Sequence, residues 1–398
     1  MADDPGFVVA RGSLDSDANV MFFMSPALLK AASQGDDQAS KVADAVGWVS
    51  LGVAVRDTGI SLTAHGSMDP SRFDALRAFA DLKPLRPDLY KILPSGPYGA
   101  VAIAQEGTFI DFAMTTAEQL GAQDGVAKFR KDFADGTGLD FKNDLVASLQ
   151  GNTVVAFYPS EGVDVGGVDL LAVVDDSNGA NPARVAQALR EFLDKSYREH
   201  EKKGPLMVKV DDPDGSAWIL APNVEKDLQK SLADTFSSRD IKGNLLYDGK
   251  TVVTTTRGNA VLASTSRKLL QRAVASYTTG ADNVAGEALL AQPNLVDDAQ
   301  SMMVFNLAKI AKGVEATLNI DQMDKEPADT IRGILKMFAA LDTPLTAKWK
   351  LSPNTMGVSV FIPLDYDALI DFIGAQVKQS HASSGQVSTP VPTVPALK

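Results

Sequence analysis

Pairs of apolar, β-prone segments separated by only a few turn residues recur along the chain, and they constrain its fold more than any other feature. Residues 49–56 and 60–67, for example, flank the turn Asp57-Thr58-Gly59. Glycine supplies the positive φ that a tight hairpin favours, and so short a connection cannot make the crossover that parallel strands require. The sequence therefore predicts antiparallel sheets and disfavours parallel β-α-β winding.

Helical segments follow these strand pairs. One begins at Ser25, an N-cap residue followed by proline, and another carries Phe73, Leu76 and Phe79 on one apolar face. The order strand, strand, helix, strand, strand, helix can be read about four times. We therefore expect an α+β protein with helices on one face of its antiparallel sheets, built from about four quasi-repeated ββαββα units.

The expected units have definite boundaries. The first opens with strands at residues 7–10 and 20–24, and the second opens with a hairpin of residues 98–104 and 109–114. The Ser/Thr/Pro-rich end has no hydrophobic periodicity and is expected to be disordered. The divisions are residues 5–90, 91–203, 204–284 and 285–378 for the four units, and residues 379–398 for the tail.

A phrase that occurs near both ends of the chain is the clearest sign of repetition. GISLTAHGSMDPSRFDAL at residues 59–76 resembles GVSVFIPLDYDAL at residues 357–369. Each phrase is interpreted as the last hairpin and the closing helix of a unit. We therefore expect residues 18–80 and 299–376 to share a fold and a strand order.

The composition argues against a nucleic-acid partner and against a transmembrane segment. The formal net charge is −12 with a pI near 4.8, and no basic cluster is present, which argues against binding to nucleic acid. No apolar run approaches the ~20 residues that span a bilayer, so no transmembrane segment is expected. The chain has no cysteine, as is common for proteins exported to an oxidising space. We expect a periplasmic or extracellular protein in its mature form, with a cytoplasmic location as the alternative.

The sequence lacks the common catalytic and metal-binding motifs. Its Asp-rich segments at 175–179 and 211–215 do not have the spacing of a calcium loop. Gly249-Lys250-Thr251 lacks the earlier glycine of a phosphate-binding loop and precedes a predicted strand. Without cysteine there is no thiolate ligand or cysteine nucleophile. We therefore predict no catalytic residues, no metal and no cofactor.

The faces of two predicted strands differ between the first and fourth units. In residues 60–65 one face is polar, with Ser61, Thr63 and His65, whereas residues 357–362 carry apolar side chains on both faces. We expect the first unit to show its sheet to water or to a polar ligand. The fourth unit is expected to pack its sheet against something apolar.

Four apolar residues are the candidate ligand-binding residues. Methionine lines adaptable apolar pockets, and Met302 and Met303 lie side by side in a predicted strand of the fourth unit. Trp349 and Phe361 lie in its later strands. We predict that these two aromatic residues lie at a contact between units or in an apolar ligand pocket.

One stretch resembles a known family. GLDFKNDLVASLQG at residues 138–151 runs into an apolar strand at residues 153–159 that ends in proline. It resembles a signature of the uncharacterised bacterial extracytoplasmic family called domain of unknown function 3352, and residues 258–273 are also similar. The resemblance covers roughly residues 95–375. It implies export and brings no catalytic residues.

Two classes of function remain. The first is a non-enzymatic extracytoplasmic binding or structural protein of a bacterium, whose partner is a protein or a small apolar ligand. The second is a hydrolase-type enzyme with an unrecognised site built from carboxylates such as Asp140 and Asp144. Converging carboxylates in a pocket would favour the enzyme. An apolar cavity or an exposed apolar patch would favour the binding protein, which is the class we expect.

Overall fold

The structure is a computed structural model that describes most of the chain between residues 5 and 374. Some sequence predictions concern residues outside the described part: the tail at 379–398, the segment 249–251 and most of the 175–179 loop. Within residues 5–374, the residues that are not described are 15–16, 34–36, 87–90, 161–166, 176–181, 202–203, 213–214, 225, 228–252, 258–259, 285–286, 288–297 and 319.

The strands form one antiparallel sheet. They are β1 (Val20–Met24), β2 (Val46–Arg56), β3 (Gly59–Met68), β4 (Gly99–Ala104), β5 (Asn152–Pro159), β6 (Val168–Asp175), β7 (Met207–Asp212), β8 (Gly215–Leu220), β9 (Val253–Arg257), β10 (Ala260–Ser264), β11 (Ser301–Phe305), β12 (Leu345–Leu351) and β13 (Thr355–Pro363). Their order across the sheet is β1-β2-β3-β13-β12-β11-β4-β5-β6-β10-β9-β8-β7. The α+β class and the antiparallel sheet are confirmed, and all four predicted units contribute strands to this sheet.

Helices make most of the longer connections. They span Pro5–Ser13, Pro26–Ala32, Asp37–Ala45, Glu106–Gln119, Gln123–Thr137, Pro182–Glu201, Arg267–Thr279, Leu307–Thr317, Lys325–Ala339 and residues 366–374. Shorter helical turns span Asp74–Phe79, Phe141–Val146 and Ile320–Gln322.

Three groups of strands have the same connectivity. In β1–β3, β4–β6 and β11–β13, the first strand leads through helices to the second, and the third strand is the next described element after the second. Each strand pairs with the next one in sequence. Residues 18–80 and 299–376 therefore have the same strand order. That they are copies of one unit stays a prediction, which superposition of the two segments would test.

Two predicted strands are wrong, because residues 7–10 and 109–114 are helical. Short apolar runs fit both the strand and the helix period, so packing decides between them. In the second case, Phe109 and Phe112 both contact the Phe79 ring, with centroids 5.8 and 4.7 Å away. Residues three apart share a face only in a helix. The opening hairpins expected for the first and second units are therefore replaced by a single strand and a helix.

One face of the sheet, the core face, carries side chains such as Ala100 and Leu171. The helix Arg267–Thr279 packs on them, and they belong to the largest buried apolar cluster of the described residues. At the β1 end of the same face, Gly52 lies against the side chain of Leu14. Small residues on the strands therefore let the helix Arg267–Thr279 and the segment around Leu14 approach the sheet closely.

The opposite face, the cleft face, carries side chains such as Phe157, Phe305 and Trp218. The helices Leu307–Thr317 and Pro182–Glu201 lie over it, each at its own part of the sheet. The sequence predicted helices on one face of the sheet, whereas in the structure helices lie against both faces. Each helix on the cleft face leaves a groove beneath it.

Candidate functional site

The groove beneath the helix Leu307–Thr317, the apolar cleft, is the candidate site. Its volume is about 280 Å³. The strands contribute its floor and the helix contributes one wall. The lining residues are Tyr98, Phe157, Gly167, Val168, Phe305, Ile310, Gly313, Val314, Thr317 and Leu318. No charged side chain is among them, so the cleft favours a ligand that is mainly apolar.

A glycine in β4 creates the floor of the apolar cleft. Gly99 pairs with Phe157 on one side and with Phe305 on the other. A Cβ atom at Gly99 would run into the Phe305 ring and the Val304 carbonyl oxygen. Because this side chain is missing, the two phenylalanine rings meet across β4, with centroids 5.5 Å apart. The rings offer a continuous apolar surface to the cleft.

A second glycine shapes the wall. A Cβ atom at Gly313 would run into the hydroxyl group and the ring of Tyr98. The tyrosine therefore lies against the helix backbone at the rim of the cleft. Burial raises the pKa of the Tyr98 hydroxyl, since a desolvated phenolate is disfavoured.

The Tyr98 hydroxyl is the polar group that the apolar cleft offers to a ligand. Within the described part of the chain it has no hydrogen-bond partner. The Thr317 hydroxyl, by contrast, donates to the Gly313 carbonyl oxygen at 2.7 Å. Apolar ligand sites commonly hold a few polar groups that orient the ligand. A ligand with one hydrogen-bonding group would suit this arrangement.

The structure places the four predicted ligand-binding residues outside this cleft. Met302 is buried on the core face, whereas Met303 and Trp349 lie on the cleft face, where Trp349 pairs with Ser301. Phe361 lies on the core face, where β13 of the fourth predicted unit pairs with β3 of the first. The two aromatic residues therefore point to opposite sides of the sheet. Their part in ligand binding stays a prediction.

The sequence contains a feature that marks the cleft, but this feature lies at Gly99 and Phe305 and not at the four predicted residues. Gly99 stands at the start of an otherwise apolar strand, GAVAIA, and glycine in a strand often marks a place where another group approaches closely. Phe305 lies two residues after Met303 and shares its face. What the sequence does not reveal is that β4 pairs with β11.

The carboxylates of the alternative hypothesis have structural partners. Asp140 caps the helical turn Phe141–Val146 by accepting a hydrogen bond from the Asn143 backbone at 2.6 Å. Asp144 accepts one from the Asp140 backbone at 2.8 Å and pairs with Arg184 at 3.3 Å. Neither lines the apolar cleft. Among the described residues, no group of His, Cys, Asp or Glu has the arrangement of a metal site.

The end of the cleft face at β1 is uncovered and apolar, which overturns the expectation of a polar exposed face. On β3 the polar row of Ser61, Thr63 and His65 lies on the core face, and Thr63 is buried there. The apolar row faces outward instead. Exposed large side chains on this part of the cleft face are Val20, Phe22, Leu51, Val55, Leu62 and Met356. The prediction failed because it assumed that the apolar side of each strand would be the covered one.

Searches against protein-family models, curated proteins and solved structures found no match for this chain. The resemblance to domain of unknown function 3352 therefore stays a prediction from the sequence. In the described part of the chain, no helix has the length and apolar character needed to cross a membrane.

Proposed function

We propose that this chain is a non-enzymatic binding protein that holds a small apolar ligand in the apolar cleft. The observation that carries the proposal is the pair of rings, Phe157 and Phe305, that meet across Gly99 and line a cavity of about 280 Å³. A cavity walled by apolar groups gains free energy when an apolar ligand replaces poorly bonded water.

The size of the cleft limits the ligand. A dry cavity of about 150 Å³ lined by apolar side chains takes up benzene, and the apolar cleft is roughly twice as large. A two-ring aromatic molecule or a short acyl chain fits that volume. The Tyr98 hydroxyl would hydrogen-bond the single polar group of such a ligand.

An extracytoplasmic location in a bacterium belongs to the same proposal. The absence of cysteine and the family resemblance of residues 138–151 support it. Fractionation of the native cells, followed by detection with an antibody, would test the location separately from ligand binding. Recovery in the cytoplasmic fraction alone would contradict export and leave the ligand proposal standing.

The enzyme hypothesis is less well supported. Asp140 and Asp144 are engaged by backbone amides and by Arg184, and a general acid or base needs a free position facing a substrate. Asp140→Asn and Asp144→Asn variants that lose a measurable hydrolytic activity, while keeping their fold, would revive it.

Binding can be tested with 1-aminonaphthalene, a two-ring aromatic amine that is neutral at pH 7 and whose fluorescence shifts in apolar surroundings. We expect saturable fluorescence with the native chain. Val314→Phe, which fills the apolar cleft from the helix, should weaken probe binding at least about tenfold. A ligand that binds the folded state should also raise the unfolding temperature, and above its Kd this increase should grow with the logarithm of the ligand concentration.

The matched control separates the cleft from the uncovered end of the same face. Phe22 is 58% exposed there, so Phe22→Ser should leave probe affinity unchanged. Absence of saturable binding, or a loss in Phe22→Ser with none in Val314→Phe, would contradict the proposal.

A further inference from the structure

A second groove lies on the cleft face at the opposite end of the sheet, beneath the helix Pro182–Glu201. Its volume is about 520 Å³. Its lining holds three cationic side chains and no carboxylate, although the whole chain has a net charge of −12. We call it the cationic groove; its lining residues are Ala183, Arg184, Ala186, Gln187, Arg190, Met207, Lys209, Trp218, Thr254, Thr255, Thr256 and Val261.

Arg190 lies over the ring of Trp218. Its guanidinium carbon is 3.7 Å from the centroid of the Trp218 ring. Stacking uses the face of the guanidinium, and the N–H donors point outward in its plane. In the described part of the chain Arg190 forms no ion pair with a carboxylate. Partial burial lowers the pKa of Arg190, but an arginine side chain stays charged at neutral pH because its ordinary pKa is far above 7.

A second cation stands across the groove on the sheet. Lys209, Trp218 and Thr254 are direct neighbours on β7, β8 and β9, and their side chains share the cleft face. Lys209 is exposed and makes no ion pair with a described residue. The ring of Trp218 therefore lies between a lysine on the sheet and an arginine on the helix. The Thr254 hydroxyl adds a hydrogen-bond donor to the floor.

Neither of these two cations forms an ion pair with a carboxylate among the described residues, although the charge of Glu191, the next residue along the helix, acts on Arg190. Asp144 pairs with Arg184, the third cation of the groove, at 3.3 Å. Glu191 accepts a hydrogen bond from the Gln187 side chain at 2.8 Å.

We infer that the cationic groove binds an oxyanion, the carboxylate or phosphate group of a small organic molecule, between Arg190 and Lys209. Arginine presents paired N–H donors that match either oxyanion, and lysine adds a point charge. The groove is large enough for the rest of a small organic ligand. This inference concerns a different site from the apolar cleft and stands or falls independently of the proposed function.

Proton–nitrogen correlation spectra of the tryptophan indoles test the site directly. The chain has three tryptophans, and Trp218→Phe identifies the signal of Trp218. We expect sodium phosphate or sodium acetate, added at constant ionic strength against sodium chloride, to shift this signal saturably. The signals of Trp48 and Trp349 should stay in place. The relative affinities of phosphate and acetate then show which oxyanion the groove prefers.

Charge variants decide whether the two cations bind the anion. Lys209→Gln should weaken binding about fivefold or more, and Arg190→Lys, which keeps the charge and loses the planar fork, should weaken it by a similar factor. Lys312→Gln removes one positive charge from the helix Leu307–Thr317 and is the matched control, with no expected change.

The outcomes are distinct. A saturable Trp218 shift that Lys209→Gln weakens, and Lys312→Gln does not, supports the site. The inference is overturned if neither anion shifts Trp218 saturably, or if Lys209→Gln binds as tightly as the native chain. Because Lys209 is exposed, that variant keeps its fold even if Arg190→Lys does not.

Discussion

The apolar cleft and the cationic groove have the same construction and opposite chemistry. In each, one helix crosses the cleft face of the same sheet and leaves a groove above a row of cross-strand neighbours. The row is Phe157, Gly99 and Phe305 in the cleft, and Lys209, Trp218 and Thr254 in the groove.

For the two proposed binding sites, the difference places ligand specificity in the rows of side chains on neighbouring strands. Side chains directly opposite each other on neighbouring strands lie close together on one face. Replacing one such row, with the helical residues above it, changes the class of ligand and leaves the strand order untouched. The sheet therefore acts as a common frame, and the rows determine the chemistry.

The largest expected effect is on the stability of the fold. It is tested by substituting one residue in the floor of each site. Gly99→Val should destabilise the protein by about 3 kcal/mol or more, because the new side chain collides with the Phe305 ring and the Val304 carbonyl oxygen. Thr254→Val, at the end of the row in the groove, should change stability by less than about 1 kcal/mol, since both residues are β-branched. Urea denaturation followed by circular dichroism measures both. Equal losses would show that the floor of the cleft does not depend on a missing side chain.

Salt concentration should change ligand affinity differently at the two sites. Raising sodium chloride from about 50 to about 500 mM shortens the screening length, so oxyanion binding in the cationic groove should weaken about fivefold or more. Probe binding in the apolar cleft should stay constant or strengthen slightly, because apolar burial does not depend on charge. The same titrations at the two salt concentrations provide the measurement. If salt weakened oxyanion binding and probe binding to the same extent, the proposed chemical difference between the two sites would be contradicted.

Alkaline pH affects the cleft through Tyr98, whose pKa is raised by burial from an ordinary value of 10.0. The folded state holds this proton more tightly than the unfolded state, so the resulting stability is complete below about pH 10 and is lost as pH rises through the folded pKa. Ionised Tyr98 also places a charge in the apolar cleft, so probe affinity should fall over the same range. Tyr98→Phe should bind the probe equally well across it. An unchanged alkaline loss in Tyr98→Phe would assign the effect to another group.

Local turn chemistry explains which parts of the fold could be predicted from sequence. The hairpin β2–β3 turns where Asp57-Thr58-Gly59 predicted it, because the signal lies within a few residues. The run at 109–114 was misassigned because its apolar residues fit either period, and contact with Phe79 decided the outcome.

The two sites depend on contacts between distant parts of the chain. Phe157 and Phe305 meet only because β5 and β11 both pair with β4, and Arg190 reaches Trp218 from a helix that precedes β7. No periodicity within one segment reveals such pairings. Sequence reasoning therefore found the class of fold and most of the strands, but two of the four predicted ligand-binding residues, Met302 and Phe361, lie on the face of the sheet opposite the cleft.

The uncovered end of the cleft face provides the smallest and most local test of what a covering helix does. There Ser50 and Leu51 are consecutive on β2, so one faces the core and the other faces outward. Ser50 is fully buried, and its hydroxyl group has no hydrogen-bond partner, whereas Leu51 is 41% exposed. Ser50→Ala should stabilise the protein by about 1 kcal/mol because it removes an unsatisfied buried polar group. Leu51→Ser should cost less than about 1 kcal/mol, since much of its side chain is already in water. Thermal unfolding of the two variants beside the native chain measures the difference. A large loss in Leu51→Ser would mean that this end of the face is covered in solution, and the contrast between covered and uncovered rows would then have to be withdrawn.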